Sequence, residues 1–288
     1  MSPSRRREAV KHLQAEHAVS ERRACTVTGQ HRSTQRSEVK QCAFEGRLVA
    51  EMTKLTRAEP SWGSPRVLDR LRIDGWQVNH KRVERLWREC GFQVVKKAKK
   101  RRRVGTSANG IVRKRAEYPG HVWTYDFLTD RTEDGRRLKV LGVLDEYTRE
   151  CLALVVGRSF RSRDVVKVLE DLVMEYGRPE HIRSDNGPEF VADAVKEWLK
   201  AQEIQTLFIA PGSPWENGYI ESFFSGLRQD LMDREIFANL YEAKALLQMH
   251  RTKYNEYRPH SALGRITPKA FKAKYQAAKS LKVTNGLS

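Results

Sequence analysis

Residues 122–156, VWTYDFLTDRTEDGRRLKVLGVLDEYTRECLALVV, decide the architecture. Val122 to Leu128, Leu138 to Leu144 and Cys151 to Val156 are rich in β-branched and aromatic residues, so each reads as a strand. Asp134-Gly135 marks a hairpin turn between the first two, and Asp145 to Arg149 joins the second to the third. Connections this short make neighbouring strands antiparallel. Asp126 stands in mid-strand, where aspartate is disfavoured and a buried carboxylate needs a partner or a metal.

Downstream the period changes. Val165, Val166, Leu169, Leu172, Val173 and Tyr176 form the apolar stripe of a helix that Ser162 can cap and that Gly177 and Pro179 end. A short strand from His181 to Ser184 leads into Asp185 and the turn Asn186-Gly187-Pro188. A helix from about Val191 to Ala201 and a strand from Thr206 to Ile209 follow. Ser213-Pro214-Trp215-Glu216 combines a cap, a first-turn proline and a capping-box glutamate, which places a helix start near Pro214. Asn217, Glu221 and Arg228 then share one face of that helix. Residues 235–276 read as helical, with a break at Arg258-Pro259 and a new start at Thr267-Pro268. The order predicts an α/β fold, a mixed five-stranded sheet flanked by helices in the ribonuclease-H-like arrangement.

The first 120 residues differ in charge and in texture. They hold 29 Lys/Arg against 12 Asp/Glu, whereas the remainder holds 25 against 24, so nearly all of the +18 net charge lies in front. A basic front half joined to a balanced, carboxylate-containing back half suits polyanion binding beside a separate reaction centre. Short helices are expected over residues 8–36, with Ser20 as a cap and Gly29 past a helix end. Ser37 can cap a longer helix with Val39, Ala43, Val49 and Met52 as its apolar stripe, ending before Pro60. Ser64-Pro65 and Asn79 start two further helices that Gly75 and Gly91 close. In the second, Val83, Leu86, Trp87 and Cys90 face inward, while Lys81, Arg82, Arg85 and Arg88 supply cations for DNA. The pair reads as a helix-turn-helix for major-groove docking, or else as an Arg-rich bundle making protein contacts. Lys96, Lys97, Lys99, Lys100, Arg101, Arg102 and Arg103 make a basic linker that can neutralise phosphates; a nuclear-localisation patch is the rival reading.

Cys25, Cys42, Cys90 and Cys151 are far apart and form no CxxC pair, so neither a disulfide framework nor a zinc module with His12 and His17 is expected. The cysteine pattern fits a reducing cytoplasm; no apolar run reaches membrane-spanning length and no signal-peptide core follows the Arg-rich start, so no membrane partner is expected.

Asp126, Asp185 and Glu221 are the candidate catalytic residues and metal ligands, with 35 residues between the last two. Two strand ends and a helix can bring three carboxylates around a pair of Mg²⁺ (or Mn²⁺) ions, the minimal equipment for in-line attack on a phosphodiester. Asn217 and Arg228, on the glutamate's face, are candidates for DNA contact. The segments HVWTYDF, GRRLKVLGVLDEYTRECLAL, EHIRSDNGPEF, PGSPWENGYIESF and YNEYRPHSALG closely resemble the integrase core of bacterial insertion-sequence transposases, the second-frame (OrfB) protein of the IS-three type. SWGSPRVLDRLRIDGWQVNHKRVERLWRECGF resembles that family's preceding helix-turn-helix, with Trp62-Gly63 where the family has a Tyr-rich start, and QHRSTQR is also similar.

The resemblance implies a DDE transposase that cuts and joins strands during DNA integration, with those three carboxylates on two Mg²⁺ ions. It also implies that Arg228 matches a basic residue the family places after its glutamate. The implied partners are double-stranded DNA (transposon ends and target), a second copy in at least a dimer, and a first-frame DNA-binding protein, separate or fused, with this chain as the catalytic part of the working enzyme. A non-catalytic DNA binder of the same fold and a nuclease on RNA–DNA hybrids are the competing functions. The expected divisions are a helical region 1–58, a helix-turn-helix 59–95, a basic linker 96–118, the catalytic core 119–234 and a helical extension 235–288.

Overall fold

The computed structural model describes residues 3–36, 43–92, 94, 115–184, 193–208 and 217–285. The chain forms two compact units, Met1–Met52 and Thr53–Ser288. In the first, α1 (Pro3–His17), α2 (Glu21–Thr28) and α3 (Arg32–Arg36) gather around buried Val10, Ala24 and Cys25. Ser20 caps α2 through the Arg23 N–H, and Gly29 takes the left-handed conformation that ends it. In α4 (Ala43–Ala58) the buried stripe is Leu48, Met52 and Leu55, whereas Ala43 is exposed and Val49 half-buried. Large apolar groups at i, i+4 and i+7 outweigh the smaller ones the sequence reading favoured. Ser37, Val39 and Cys42 lie outside the described residues.

The helix pair comprises α5 (Ser64–Ile73) and α6 (His80–Glu89). Gly63 rather than Ser64 is the N-cap of α5, while Asn79 caps α6 by accepting the Lys81 N–H at 3.0 Å. Val83, Leu86 and Trp87 are buried as expected, but Cys90 is exposed. The helix ends at Glu89, and Gly91 (φ +68°) swings Phe92 over Trp87 with ring centroids 5.4 Å apart. Phe92 closes the face that Cys90 would have covered.

The sheet has the strand order β3-β2-β1-β4-β5. β1 (Val122–Arg131), β2 (Arg137–Asp145) and β3 (Cys151–Gly157) form the antiparallel meander, with Gly135 (φ +78°) in the first turn and a bulge at Val143/Leu144 against β3. β4 (His181–Ser184) adds parallel to β1, and β5 (Gln205–Phe208) parallel to β4. The helices α7 (Ser162–Tyr176) and α8 (Asp193–Ala201) cover one face. The helices α9 (Gly218–Leu227) and α10 (Leu240–Glu256) cover the other, and α11 (Pro268–Asn285) follows. Arg161, not Ser162, stands at the N-cap of α7, where the Asp164 carboxylate accepts the Arg161 N–H at 2.7 Å.

Period-two alternation divides the core. Trp123, Tyr125, Leu141, Val143 and Ile182 pack under Val165, Leu169, Val195 and Leu199. Leu128, Leu138, Val140, Leu154 and Val156 pack under Ile220, Phe223, Phe224, Leu227 and Leu247. Each such side chain contributes about 1.5–3 kcal/mol by leaving water. Asn255 at the end of α10 behaves as a missing strand: its Oδ1 accepts the Cys151 N–H at 2.8 Å and its Nδ2 donates to the Cys151 carbonyl at 2.9 Å. This satisfies both backbone groups of Cys151 at the start of the β3 edge, which would otherwise be unpaired there. Among the described residues, no helix is long and apolar enough to cross a membrane.

His250, buried on α10, has its pKa pushed down to about 4 by burial first and by Lys253 second. Because the unfolded ring takes its proton near 6.5, the folded state holds fewer protons between these values, and stability present above pH 6.5 is lost as pH falls toward 4. Urea unfolding at pH 7 and pH 5 should show a loss of about 2 kcal/mol from this group. The loss should shrink in His250→Gln; an unchanged pH dependence in that variant would discredit the assignment.

Candidate active site

Asp126 pairs directly with Gly142 across the β1–β2 ladder, so their Cβ positions share one face of the sheet. That face lies under α9: a Cβ added at Gly142 would stand 2.8 Å and 2.9 Å from ring atoms of Phe224 and 3.4 Å from Ile220. The absence of a side chain at Gly142 therefore lets α9 approach the strand that bears Asp126. Glu221 lies in the first turn of α9 and is exposed, while Asp126 is half-buried, its Oδ1 accepting the Phe127 N–H at 2.7 Å.

Two hydrogen bonds tie α9 along β1. At its start the Thr124 hydroxyl donates to Asn217 Oδ1 at 2.6 Å, with both residues buried. Past its end Arg228 Nη2 donates to the Thr129 carbonyl at 3.1 Å. From Asn217 to Arg228 a helix advances roughly 16 Å. From Thr124 to Thr129 a strand advances roughly 16 Å as well. The spans are similar, so the helix can run alongside the strand. Glu221 is about 6 Å beyond the first tie along the helix, and Asp126 is about 6.6 Å beyond it along the strand. Counted this way, Asp126 and Glu221 lie at similar advances beyond that tie.

Asn217 and Arg228, read in the sequence as DNA contacts, each hold a β1 partner, and Asn217 is 4% exposed. Asp185 lies outside the described residues; it follows Ser184, the last residue of β4, in a strand that runs parallel to β1 with Thr124 beside Arg183. The proposed cap Ser213-Pro214 is also outside them.

The sequence reading missed Thr124, Gly142 and a buried ion pair in which Arg183 Nε meets Glu146 Oε1 at 2.8 Å. A lone threonine or glycine in a strand carries no signal of its own. Arg183 could have been noticed as a charged residue in a four-residue strand whose every position is buried. His121, Glu180 and His181 also cluster, with ligand atoms within 4.8 Å of one another. They begin β1 and β4, and His121 lies five residues (roughly 16 Å of strand) before Asp126. His121 Nδ1 accepts the Glu117 N–H at 3.1 Å, so in the neutral ring Nε2 carries the proton and faces Glu180 at 3.8 Å. That tautomer suits a polar network rather than a metal ligand.

On α6, Lys81, Arg82, Arg85 and Arg88 are all exposed. Arg85 pairs with Glu89 at 2.9 Å and Arg88 with Glu84 at 3.9 Å, contacts worth well under about 1 kcal/mol on an open surface. The basic run Lys96, Lys97, Lys99, Lys100, Arg101, Arg102 and Arg103 is outside the described residues.

Comparison with known proteins adds a second line of observation. Residues 116–214 match one family described as an integrase core domain, residues 202–268 a second so described, and residues 45–101 an HTH-like domain. The chain is 34% identical over 276 residues to an insertion element IS476 protein of Xanthomonas euvesicatoria, described as uncharacterized, covering 96% of this chain and 79% of that one. It is 35% identical over 262 residues to the likewise uncharacterized insertion element IS407 protein of Burkholderia multivorans, covering 90% and 92%. Transposase InsF for insertion sequence IS3A of Escherichia coli is 24% identical over 234 residues, covering 77% and 81%.

Two substitutions test the geometry. Gly142→Ala should cost about 1–3 kcal/mol in urea unfolding, because Phe224 must move; an unchanged midpoint would remove the close approach as a constraint. Arg183→Met removes the ion-pair partner of the buried Glu146 carboxylate and should cost about 3–5 kcal/mol, whereas a change within about 0.5 kcal/mol, the scale of a surface substitution, would show that the pair is solvated.

Proposed function

As the chain belongs to the insertion-sequence transposase family, with an integrase core behind an HTH-like domain, we propose that it cleaves and joins DNA strands at the ends of an insertion sequence. Asp126, Asp185 and Glu221 are its catalytic carboxylates. The observation that supports this reading is the double tie of α9, which carries Glu221, to β1, which carries Asp126. Asp185 completes the set in this proposal, because it directly follows the parallel strand next to β1.

The donor set fits a hard divalent cation, since carboxylate oxygens are the ligands Mg²⁺ and Mn²⁺ prefer. Two such ions, when bound, would supply positive charge at the attacking and leaving oxygens of an in-line displacement. The protein's own contribution is positioning. Phe223, Phe224 and Ile220 are buried beneath α9 and leave Glu221 facing outward. Asn217 holds the helix start, and Arg228 holds its end while keeping further N–H donors for a DNA phosphate. A carboxylate held at both ends of its helix loses little freedom when it meets the substrate.

The exposed cations of α6 and the basic linker hold duplex DNA in this proposal, with α6 nearest the terminal repeat. A second copy brings the second end, a first-frame protein completes the enzyme, and the site of action is the cytoplasm.

Strand cleavage and joining on DNA carrying the element's ends should require Mg²⁺ or Mn²⁺ and stop on chelation. Asp126→Asn, Asp185→Asn and Glu221→Gln should each lower the rate at least about 100-fold, the scale seen when an enzyme is deprived of one group that stabilises transition-state charge. DNA affinity should remain. Wild-type rates in all three variants would sink the assignment.

A further inference from the structure

A cavity of ≈ 560 Å³ opens between the start of α5, the loop that follows α10, and a flank of α9. Arg66, Arg149, Arg258 and Arg265 line it together with His260 and Tyr219. Two of the arginines are neutralised: Arg265 meets Asp69 at 2.8 Å, and Arg258 is closely paired with Asp230. Among the described residues, Arg66 and Arg149 reach no carboxylate at ion-pair distance. Arg66 lies 5.9 Å from the Trp62 ring centroid, and Arg149 sits 3.6 Å from that of Tyr219 while donating to the Glu146 carbonyl. Two of the cavity's four guanidinium groups therefore lack a direct ion pair, although the charges of Asp69 and Glu59 act on Arg66 from nearby.

The surroundings register that crowding. Burial, and then the charge of Arg66, bring the Arg258 pKa down to about 9, and burial also lowers Arg66. Burial first, and then Arg258, Arg66 and Arg149, hold His260 down to about 3, so it stays neutral and adds no charge of its own. The backbone is also strained here. Of the four non-glycine residues with positive φ among those described, two are Arg149 (φ +60°) and Arg265 (φ +69°). Such conformations cost about 1–3 kcal/mol each and persist where the surroundings impose them, often at binding sites. Cations crowded in a half-closed space, two of them on strained backbone, call for an anion, and the planar guanidinium fork matches phosphate.

The cavity's position indicates which phosphate. Tyr219, Ser222 and Gly226 of α9 line it, and Glu221 lies about a third of a turn around the same helix, roughly 10 Å away over its surface. A DNA strand rises about 3.4 Å per nucleotide, so an anion here would lie within a few nucleotides of a bond held at Glu221. We propose that this cavity binds a backbone phosphodiester of the substrate strand through Arg66 and Arg149, as a clamp separate from α6. The proposal rests on the DNA-processing function given above.

The full-length chain with Arg66→Gln and Arg149→Gln together should bind a fluorescent duplex more weakly than wild type. The slope of log K against log salt should be flatter by about 0.9 for each phosphate that the variant no longer neutralises. An unchanged affinity and slope would overturn the clamp. If the double variant does not fold, the wild-type protein decides: duplex DNA should slow phenylglyoxal modification of Arg66 and Arg149, mapped by mass spectrometry, at least about fivefold, a ratio worth roughly 1 kcal/mol. Equal rates with and without DNA would overturn it. Glu221→Gln keeps the two ideas apart. If that variant stops cleavage while the arginines prove irrelevant to DNA, only the clamp falls. If it cleaves as wild type while slope and protection behave as expected, the clamp stands and the catalytic assignment falls.

Discussion

The hydrogen bond from the Thr124 hydroxyl to Asn217 Oδ1, with its counterpart from Arg228 to the Thr129 carbonyl, sets where α9 can lie. Both partners of the first bond are buried, so losing one would leave the other unsatisfied at a cost of about 1–3 kcal/mol. With helix and strand spans similar, neither end can slide without breaking a tie. Gly142 works in the same direction from below, since a Cβ there would force the Phe224 ring to move. The height of Glu221 over β1 thus follows from a hydroxyl, an amide, a guanidinium and a missing methyl group.

Charge is distributed to serve that frame. The Arg183–Glu146 pair is almost wholly desolvated, an arrangement that adds little net stability when intact and costs much when broken. Beside α9 the pattern changes: Arg258 and Arg265 find carboxylates, while Arg66 and Arg149 rest on aromatic rings. A fold that needed these cations only for internal pairing would carry matching acids. An excess of charge there fits the proposed polyanionic substrate, as does the basic surplus of the first 120 residues.

The motif YNEYRPHSALG, whose text resembled a family signature, gains physical content in the fold. Asn255 satisfies both backbone groups of Cys151 at the start of the β3 edge, Arg258 pairs with Asp230 in the π-helical turn Arg228–Met232, and His260 lines the arginine cavity. These residues are shared between holding the sheet and shaping the flank of the site, which gives one segment two reasons to be demanding in sequence.

Much of the architecture was legible in the chain because strand periodicity and turn chemistry are local: the three-strand meander, β4, α7 and the Asn79 cap all follow from neighbours in sequence. Asp126 stood out in the sequence as a charge in an apolar strand, and Glu221 by its place on a capped helix in a segment that resembles a family signature. Cys90 was misjudged because Phe92, returning across the Gly91 turn, covers the face first, and the α4 stripe because its burial depends on what packs there. Asn217 and Arg228 stand out in the sequence as neighbours of Glu221 on one helix face, yet their partners lie 93 and 99 residues away along the chain. The sequence by itself determined which elements form and which acids they carry. Only the tertiary structure decided that Thr124 and Thr129 tie α9 to β1 and that Gly142 leaves room for Phe224, because a contact between distant segments leaves no periodic trace in either.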